Sequence, residues 1–282
     1  MKISIITVNY NNRDGLQKTI DSVVNQTWRD FEWIVIDGGS TDGSKELIEK
    51  YQDYFAYWCS EPDKGVYNAM NKGIAKAHGE YLNFMNSGDC FHDTTILEQV
   101  SNNLNEDDIV YGNQNFLLKD GGQWLYRYPN KLSIHFLLYD SIGHQSSFIR
   151  RSLFDNDGYR DDFKIVSDWQ KFLRWYYEGY SFLHLDMIVA DFDATGVSAT
   201  NLEQNSKERQ IAIEELFGKK NSQWVSESIE IQTLLEKHKY DSTLMSYLRI
   251  KKRGGIRLVW LTRFINFMEK TINFEERIKY RK

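Results

Sequence analysis

The N-terminal third of the chain alternates short apolar runs with segments of helical spacing. Four runs rich in β-branched and aromatic residues predict buried strands, at 3–8, 31–36, 57–60 and 81–85. Three intervening segments have apolar residues every three or four positions and predict helices, at 14–26, 44–54 and 66–77. This alternation predicts an α/β fold with a parallel sheet and helices on both faces.

The rest of the chain changes character near residue 200. Short strands are predicted at 109–111, 124–128 and 146–149, and a helix at 166–177. Residues 202–280 have helical spacing throughout. With 282 residues in all, we predict one α/β domain at 1–200 and a helical C-terminal region at 201–282.

Polar residues follow the first two predicted strands, where ligands bind in open α/β sheets. After the first strand neither GxGxxG nor GxxxxGK[ST] occurs, which argues against dinucleotide enzymes and P-loop NTPases. Tyr10 and the amides around it suit stacking and hydrogen bonding with a nucleobase, or form an ordinary polar turn. Asp37, at the tip of the second strand, suits a base or ribose hydroxyl, whereas residues 40–43 fit a capped turn.

The third and fourth strand ends carry charge. Asp63 and Lys64 precede a predicted helix, whose N-terminus favours anions such as a diphosphate. Asp89 follows Gly88 after the fourth strand. Its carboxylate oxygens are hard ligands of the kind that bind Mg²⁺ or Mn²⁺. A single Asp is weak evidence, but four polar strand ends at one sheet edge predict a ligand site.

Four blocks of sequence stand in and around these strand ends: IITVNYN (5–11), IVIDGGSTDG (34–43), SEPDKG (60–65) and NAMNKG (68–73). In order and spacing they resemble family 2 of the inverting glycosyltransferases, in a branch that acts in bacterial polysaccharide synthesis. The resemblance covers about 3–92 in detail and continues more weakly to about 200. It implies a GT-A fold, Rossmann-like, with a mostly parallel sheet flanked by helices. It also implies a nucleotide-sugar half at 1–92 and an acceptor half at 93–200.

The resemblance also implies roles for individual residues. Thr7, Tyr10 and Asp37 would hold the nucleoside of a UDP-linked sugar, with Asp63 beside it. The remaining donor-side residues would be Lys64, Asn86, Gly88 and His144. Asp89 would be the ligand of a divalent cation, Mn²⁺ or Mg²⁺. This chain has Asn86-Ser87-Gly88-Asp89 where the family carries two further carboxylates, so the strictness of metal dependence stays open.

The catalytic base is expected in the second half. The family carries an Asp at the start of a helix, after a segment resembling GHQSSF (143–148), and Asp168 fits that position. An inverting transfer needs such a carboxylate to deprotonate the acceptor hydroxyl. Without the resemblance, Asp168 is equally an N-terminal helix charge. Asp161 and Asp162 are its rivals, and His144 is either a ligand contact or a structural residue.

The charge of the chain is unevenly distributed. Segment 237–282 has 13 basic and four acidic residues, whereas the remainder has 22 basic and 36 acidic ones. The amphipathic segment 256–280 suits an anionic membrane surface, or else packs as a helical element or a dimer contact. We therefore expect a cytoplasmic protein, peripheral on the inner face of the plasma membrane, whose partners are a nucleotide sugar and a glycan or lipid-linked acceptor. The acidic body argues against nucleic acid, and an oligomer is compatible with the sequence.

Two other functions remain for comparison. A sugar-nucleotide pyrophosphorylase would carry a glycine-rich loop with Arg and Lys after the first strand, where this chain has Asn9 to Asn12. A catalytically degenerate nucleotide-sugar-binding module would keep the fold without turnover. The segment from Asn86 to Asp89 has one carboxylate where the family carries further ones, which keeps this second alternative open.

Overall fold

The computed structural model describes residues 1–194, 201–219, 221–223, 225–226 and 228–229. The basic segment 237–282 lies outside the described residues. Among the residues that are described, no helix combines the length and apolar character that a membrane crossing requires.

The described residues form strands and helices that alternate through most of the chain. The strands are β1 (Ile3–Asn9), β2 (Phe31–Asp37), β3 (Tyr57–Ser60), β4 (Tyr81–Phe84), β5 (Cys90–Phe91), β6 (Ile109–Leu117), β7 (Gln123–Tyr126), β8 (Ser147–Arg150) and β9 (Phe182–Asp193). The helices are α1 (Arg13–Val24), α2 (Ser44–Lys50), α3 (Val66–Ile74), α4 (Ile96–Ser101), α5 (Ile134–Tyr139), α6 (Ser167–Glu178) and α7 (Leu202–Phe217). Short 3₁₀ turns lie at Gln52–Tyr54, His144–Ser146 and Arg151–Phe154.

Within the described residues the strands make one sheet, in the order β3-β2-β1-β4-β8-β6-β9-β5, with β7 added to β6. β1 pairs in parallel with β2 and β4, and β2 pairs in parallel with β3. In the second half, β6 and β9 are parallel, but β8, β7 and β5 join antiparallel. The sheet is therefore mixed, with the parallel part confined largely to the first four strands.

The core lies on both faces of the sheet because successive side chains of a strand point to opposite sides. In β1, Ile3 and Ile5 pack on one face, together with α1, α2 and α4. Ile6 and Val8 pack on the other face with α3, α5, α6 and α7. All seven residues of β1 are buried, which explains why its apolar residues occur on both faces and do not alternate strictly with polar ones.

The fold class is confirmed as α/β with helices on both faces, and α7 is the described part of the predicted helical C-terminal region. The division at residue 200 stays a prediction. Two helices are shorter than predicted, since α2 ends at Lys50 and α3 at Ile74. β6 extends to Leu117, and β9 was not predicted, because polar residues such as His184 and Asp186 break its apolar pattern.

Candidate functional site

The carboxyl ends of the first three strands meet at one sheet edge. Asn9, Asp37 and Ser60 are register partners at the ends of β1, β2 and β3. β4 pairs with β1 on the other side, so the loop from Asn86 to Asp89 lies at the same edge. This convergence of polar strand ends is the one that the sequence predicts.

Asp37 ties these loops together. Its carboxylate is fully buried. It accepts hydrogen bonds from Asn9 Nδ2 (2.7 Å), Ser60 Oγ (2.6 Å), Ser40 Oγ (2.5 Å) and the Ser40 backbone N–H (2.9 Å). Burial alone would raise the pKa of Asp37, but these donors outweigh it and hold the pKa below its usual value. In this arrangement Asp37 fixes the loop geometry, and its predicted ligand contact stays untested.

Tyr10 and Asp63 flank the backbone of Gly38. A Cβ atom at Gly38 would lie 2.6 Å from Asp63 Oδ2 and 3.1 Å from Tyr10 Cδ2. The Tyr10 side chain is 65% exposed, so its ring can stack on a flat group such as a nucleobase. Asp63 accepts a hydrogen bond from the Gly65 backbone N–H (2.8 Å) through Oδ1. Two of the predicted nucleoside residues therefore lie side by side over a glycine that leaves room for both.

Thr7 is enclosed in the protein interior, whereas a residue that contacts a ligand must be accessible to it. It is fully buried, and its hydroxyl accepts a hydrogen bond from Trp33 Nε1 (2.9 Å). The side chain therefore contributes to the core between β1 and β2. Its predicted role in donor binding stays a prediction.

Two lysines lie at the start of α3. Lys64 is exposed two residues before the helix. Lys164, which the sequence did not single out, donates from Nζ to the Lys64 carbonyl (3.0 Å) and the Asp161 carbonyl (3.3 Å). Cations beside the N-terminus of a helix favour an anion there. No pattern in the sequence links positions 64 and 164, so only the fold reveals this pairing.

Asp89 is buried in the loop after β4, with 5% exposure. Its Oδ1 accepts the Asp193 backbone N–H (3.0 Å), and its Oδ2 accepts Gln145 Nε2 (3.0 Å). Burial dominates these bonds and raises the pKa of Asp89 to about 6. Gly88 has φ +106°, and a Cβ there would lie 3.4 Å from Asp193 Oδ2. Asp193 and Gln145 are thus neighbours of Asp89 that the motif did not indicate.

The oxygen ligands around Asp89 fit a cation that is held partly by the protein and partly by a bound substrate, rather than by the protein alone. Within the described part of the chain, no three His, Cys, Asp or Glu residues are grouped so as to hold a metal ion. Asp89 and its neighbour Asp193 nevertheless offer hard oxygen ligands. Mg²⁺ commonly keeps several waters and is held by one or two carboxylates together with substrate phosphates. The residues present fit a cation of that kind.

Asp168 lies in the first turn of α6 and is held on both oxygens. Oδ1 accepts the Tyr67 hydroxyl (2.8 Å), and Oδ2 lies 2.9 Å from His144 Nδ1. Burial opposes ionisation of Asp168, but the hydrogen bonds from His144 and Tyr67 outweigh it and lower the pKa of the carboxyl. The carboxylate is therefore ionised at neutral pH, as a proton acceptor requires.

His144 connects Asp168 to the loop after β4. Its Nε2 lies 3.0 Å from Asn86 Nδ2, which pairs an amide donor with a ring acceptor when Nδ1 carries the proton towards Asp168. Three residues predicted separately, Asn86, His144 and Asp168, thus form one hydrogen-bonded row. The fold also adds Tyr67, which lies in the first turn of α3 and was not predicted.

The two rival carboxylates point elsewhere. Asp162 binds Arg160 (2.7 Å), and Asp161 accepts a long hydrogen bond from Asn68 Nδ2 (3.4 Å). Both are exposed. Neither contacts His144 or the loop after β4, so geometry favours Asp168 among the three.

Comparison with known proteins identifies the family. Residues 4–157 match the model of Glycosyl transferase family 2. The chain belongs to this glycosyltransferase family. An uncharacterized glycosyltransferase of Mycobacterium tuberculosis is 36% identical over 202 residues, 70% of this chain and 77% of the relative. A PGL/p-HBAD biosynthesis glycosyltransferase of Mycobacterium bovis is 30% identical over 174 residues, 59% of this chain and 66% of the relative.

Solved structures show that this glycosyltransferase has the GT-A fold expected from the sequence. TarS of S. aureus superposes with a TM-score of 0.64 at 18% identity, covering 86% of this chain. The chain spans only 44% of full-length TarS. A shorter TarS, residues 1–349 in complex with UDP-GlcNAc, gives a TM-score of 0.62 at 16% identity, covering 93% of this chain and 79% of that one. Asp168 lies beyond the segment matched by the family model.

Proposed function

We propose that this glycosyltransferase moves a sugar, with inversion, from a UDP-linked donor to a hydroxyl of a glycan or lipid-linked glycan in cell-surface polysaccharide synthesis. The observation that carries the proposal is the contact of His144 with both Asp168 and Asn86. It joins an ionised carboxylate to the loop that follows β4. The UDP-GlcNAc complex of TarS supports a uridine donor.

The donor would lie along the sheet edge. The Tyr10 ring would stack on the base, with Asp63 beside it and Asp37 holding the loops in register. The diphosphate would lie near Lys64 and Lys164 at the start of α3, where the helix N-terminus favours negative charge. A divalent cation at Asp89 would neutralise the charge of the leaving diphosphate.

Asp168 would act as the base of a single displacement. The acceptor oxygen attacks C1 of the sugar opposite the diphosphate, and its proton passes to Asp168 as the new C–O bond forms. The bond between C1 and the diphosphate oxygen breaks, and the nucleoside diphosphate leaves with that electron pair. His144 and Tyr67 hold Asp168 in the orientation that this transfer needs. A direct contact of His144 with the donor remains part of the proposal.

A donor panel tests the proposed function. Purified protein is mixed with UDP-, GDP- and dTDP-sugars in Mn²⁺, Mg²⁺ or EDTA, and the released nucleoside diphosphate is measured. We expect metal-dependent release from one UDP-sugar, lost in Asp89→Ala. Stabilisation by a nucleotide with no turnover, even with added glycan and lipid-linked acceptors, would instead indicate the catalytically degenerate binding module.

We also propose that segment 237–282 meets an anionic membrane surface, because of its 13 basic residues. Flotation with anionic liposomes, for chains with and without this segment, tests the idea. Selective flotation of the longer chain is expected. Equal flotation of both would contradict it.

A further inference from the structure

The start of α6, which carries Asp168, has no side-chain cap of its own. Its N-cap residue is Val166, and no side chain of the cap accepts a bond from the first turn. Helix starts normally use Ser, Thr, Asp or Asn for this purpose, because the first backbone N–H groups have no partner within the helix. The three backbone N–H groups just before the helix, from Lys164 to Val166, do have a side-chain acceptor, and it comes from elsewhere in the chain.

The acceptor is Glu208 of α7. Its carboxylate is 2% exposed and accepts three consecutive backbone N–H groups ahead of the helix. Oε1 accepts Lys164 N (2.7 Å), and Oε2 accepts Ile165 N (2.9 Å) and Val166 N (3.1 Å). A carboxylate with several backbone donors is among the stronger hydrogen-bonded groups in proteins. Glu208 therefore fixes the backbone immediately before Asp168.

The same short segment is held from its other side by Tyr67. The Tyr67 hydroxyl lies 2.7 Å from the Ile165 carbonyl oxygen and 2.8 Å from Asp168 Oδ1. Ile165 is thus bound at its N–H by Glu208, and its carbonyl shares the single Tyr67 hydroxyl proton with Asp168. A shift of this segment would change the position of Asp168 relative to both Tyr67 and His144.

The next residue of α7 acts on the other flank of Asp168. The Arg209 guanidinium lies 4.4 Å from the centroid of the Trp169 ring, a cation–π distance. The Trp169 Nε1 donates to the Leu137 carbonyl (2.5 Å). Burial lowers the pKa of Arg209, and the charges of Asp140 and Asp168 oppose that shift. Adjacent residues of α7 therefore hold the chain on both sides of Asp168.

We propose that Glu208 is a positioning residue for Asp168, which makes α7 part of the catalytic unit rather than an appendage. The inference rests on the proposed function of Asp168. Misplacement of a catalytic group by 1 Å can cost about 10²-fold in rate. Loss of the Glu208 charge should therefore lower the rate of transfer more than it weakens UDP binding. Tyr10, Asp37 and Asp63 lie on other loops, and of the proposed donor contacts only Lys164 lies in the segment that Glu208 holds.

The test compares Glu208→Gln with Glu203→Gln, an exposed residue on the same helix that pairs with Lys207. We expect kcat to fall about 10- to 100-fold in Glu208→Gln, with a smaller loss of UDP affinity through Lys164. In Glu203→Gln we expect both kcat and UDP affinity to stay at the wild-type values. In an Asp168→Asn background, Glu208→Gln should have little further effect, because the group it positions is gone.

The outcomes separate this inference from the proposed function. A wild-type chain without transfer would contradict the proposed function itself. Two results would overturn the positioning role in an active wild type. One is a kcat of Glu208→Gln within twofold of the wild-type value. The other is a fall in kcat from Glu208→Gln that is as large in the Asp168→Asn background as in the wild type. If Glu208→Gln does not fold, Gln204→Ala replaces it, because Gln204 Nε2 donates to Glu208 Oε1 (2.8 Å). A fall in its kcat that exceeds its loss of UDP affinity supports the role, and an unchanged kcat contradicts it.

Discussion

The donor edge and the start of α6 hold their carboxylates in different ways. Asp37 is bound by Asn9, Ser40 and Ser60, which all lie at the ends of adjacent parallel strands or in the turn that follows. Asp168 is bound by Tyr67 from α3 and by His144 from the turn before β8. The sheet edge is thus held by neighbouring strand ends, whereas Asp168 is held by side chains from two separate elements packed against α6.

This difference has a consequence for function. A substitution in the loops at the sheet edge changes the surroundings of Asp37, whose hydrogen-bond partners all lie at that edge. A change in α6 or α7 can displace Asp168 without touching Tyr10 or Asp37, which lie on the loop after β1 and at the end of β2. Nucleotide binding and the rate of transfer should therefore respond to different sets of residues.

The largest effect is expected for Asp168→Asn. The amide cannot take the acceptor proton, and general-base catalysis typically contributes about 10²–10⁴-fold. We expect kcat to fall by that factor with unchanged affinity for UDP, measured by calorimetry. Asp161→Asn is the control, because Asp161 lies exposed in the preceding loop. A similar loss in the control would break the distinction between the two carboxylates.

Asp89→Asn should affect the leaving group rather than the base. Removal of one electrostatic stabiliser of developing charge costs about 10²–10³-fold in kcat, and the amide is a poorer cation ligand. We therefore expect the rate of nucleoside diphosphate release to fall by that factor. We also expect Mn²⁺ in the presence of UDP to no longer raise the melting temperature of the variant. Asp14→Asn, 93% exposed, should retain both. Full Mn²⁺ stabilisation in Asp89→Asn would place the cation elsewhere.

Tyr10→Ala should weaken nucleotide binding without changing the chemical step. Stacking of a base on an aromatic side chain contributes roughly 1–3 kcal/mol, which corresponds to about 5- to 150-fold in Kd. Tyr10→Phe keeps the ring and should bind UDP nearly as well as the wild type. Equal weakening in the two variants would point to the hydroxyl instead of the ring.

The smallest effect is expected in the pH dependence of stability of Asp37→Asn. The folded-state pKa of Asp37 is lowered from 3.8, so its stabilisation is present above 3.8 and is lost as pH falls through the lower folded value. We expect the variant to be less stable at pH 7 by roughly 1–3 kcal/mol, with the difference narrowing below pH 3.8. Urea unfolding at several pH values measures this. Asp30→Asn, 61% exposed, should show no such narrowing.

The sequence predicts the strand ends at the sheet edge better than the surroundings of Asp168. Short apolar runs followed by polar residues locate β1 to β4, and adjacent parallel strands then bring Asn9, Asp37 and Ser60 together. The sequence does not predict equally well which way these side chains point. Thr7 and Asp37 lie at the expected positions, yet both are fully buried, because strand position alone does not reveal which neighbour takes a hydroxyl or carboxylate.

The partners of Asp168 and Asp89 could not be predicted from spacing. Gln145 and Asp193 reach Asp89 from β8's preceding turn and the end of β9, and β9 itself lacks a clear apolar alternation. Glu208 lies in a helix with alternating charges that resembles any exposed helix. Its burial depends on the packing of α7 against α6, which no local pattern encodes.

The stereochemistry of donor hydrolysis tests the central claim most directly. With water as the acceptor, ¹H NMR can record which anomer of the sugar appears first, before mutarotation. From an α-linked UDP-sugar, a single displacement with Asp168 as base predicts that the β-anomer appears first. Initial release of the α-anomer would contradict inversion and, with it, the role assigned to Asp168.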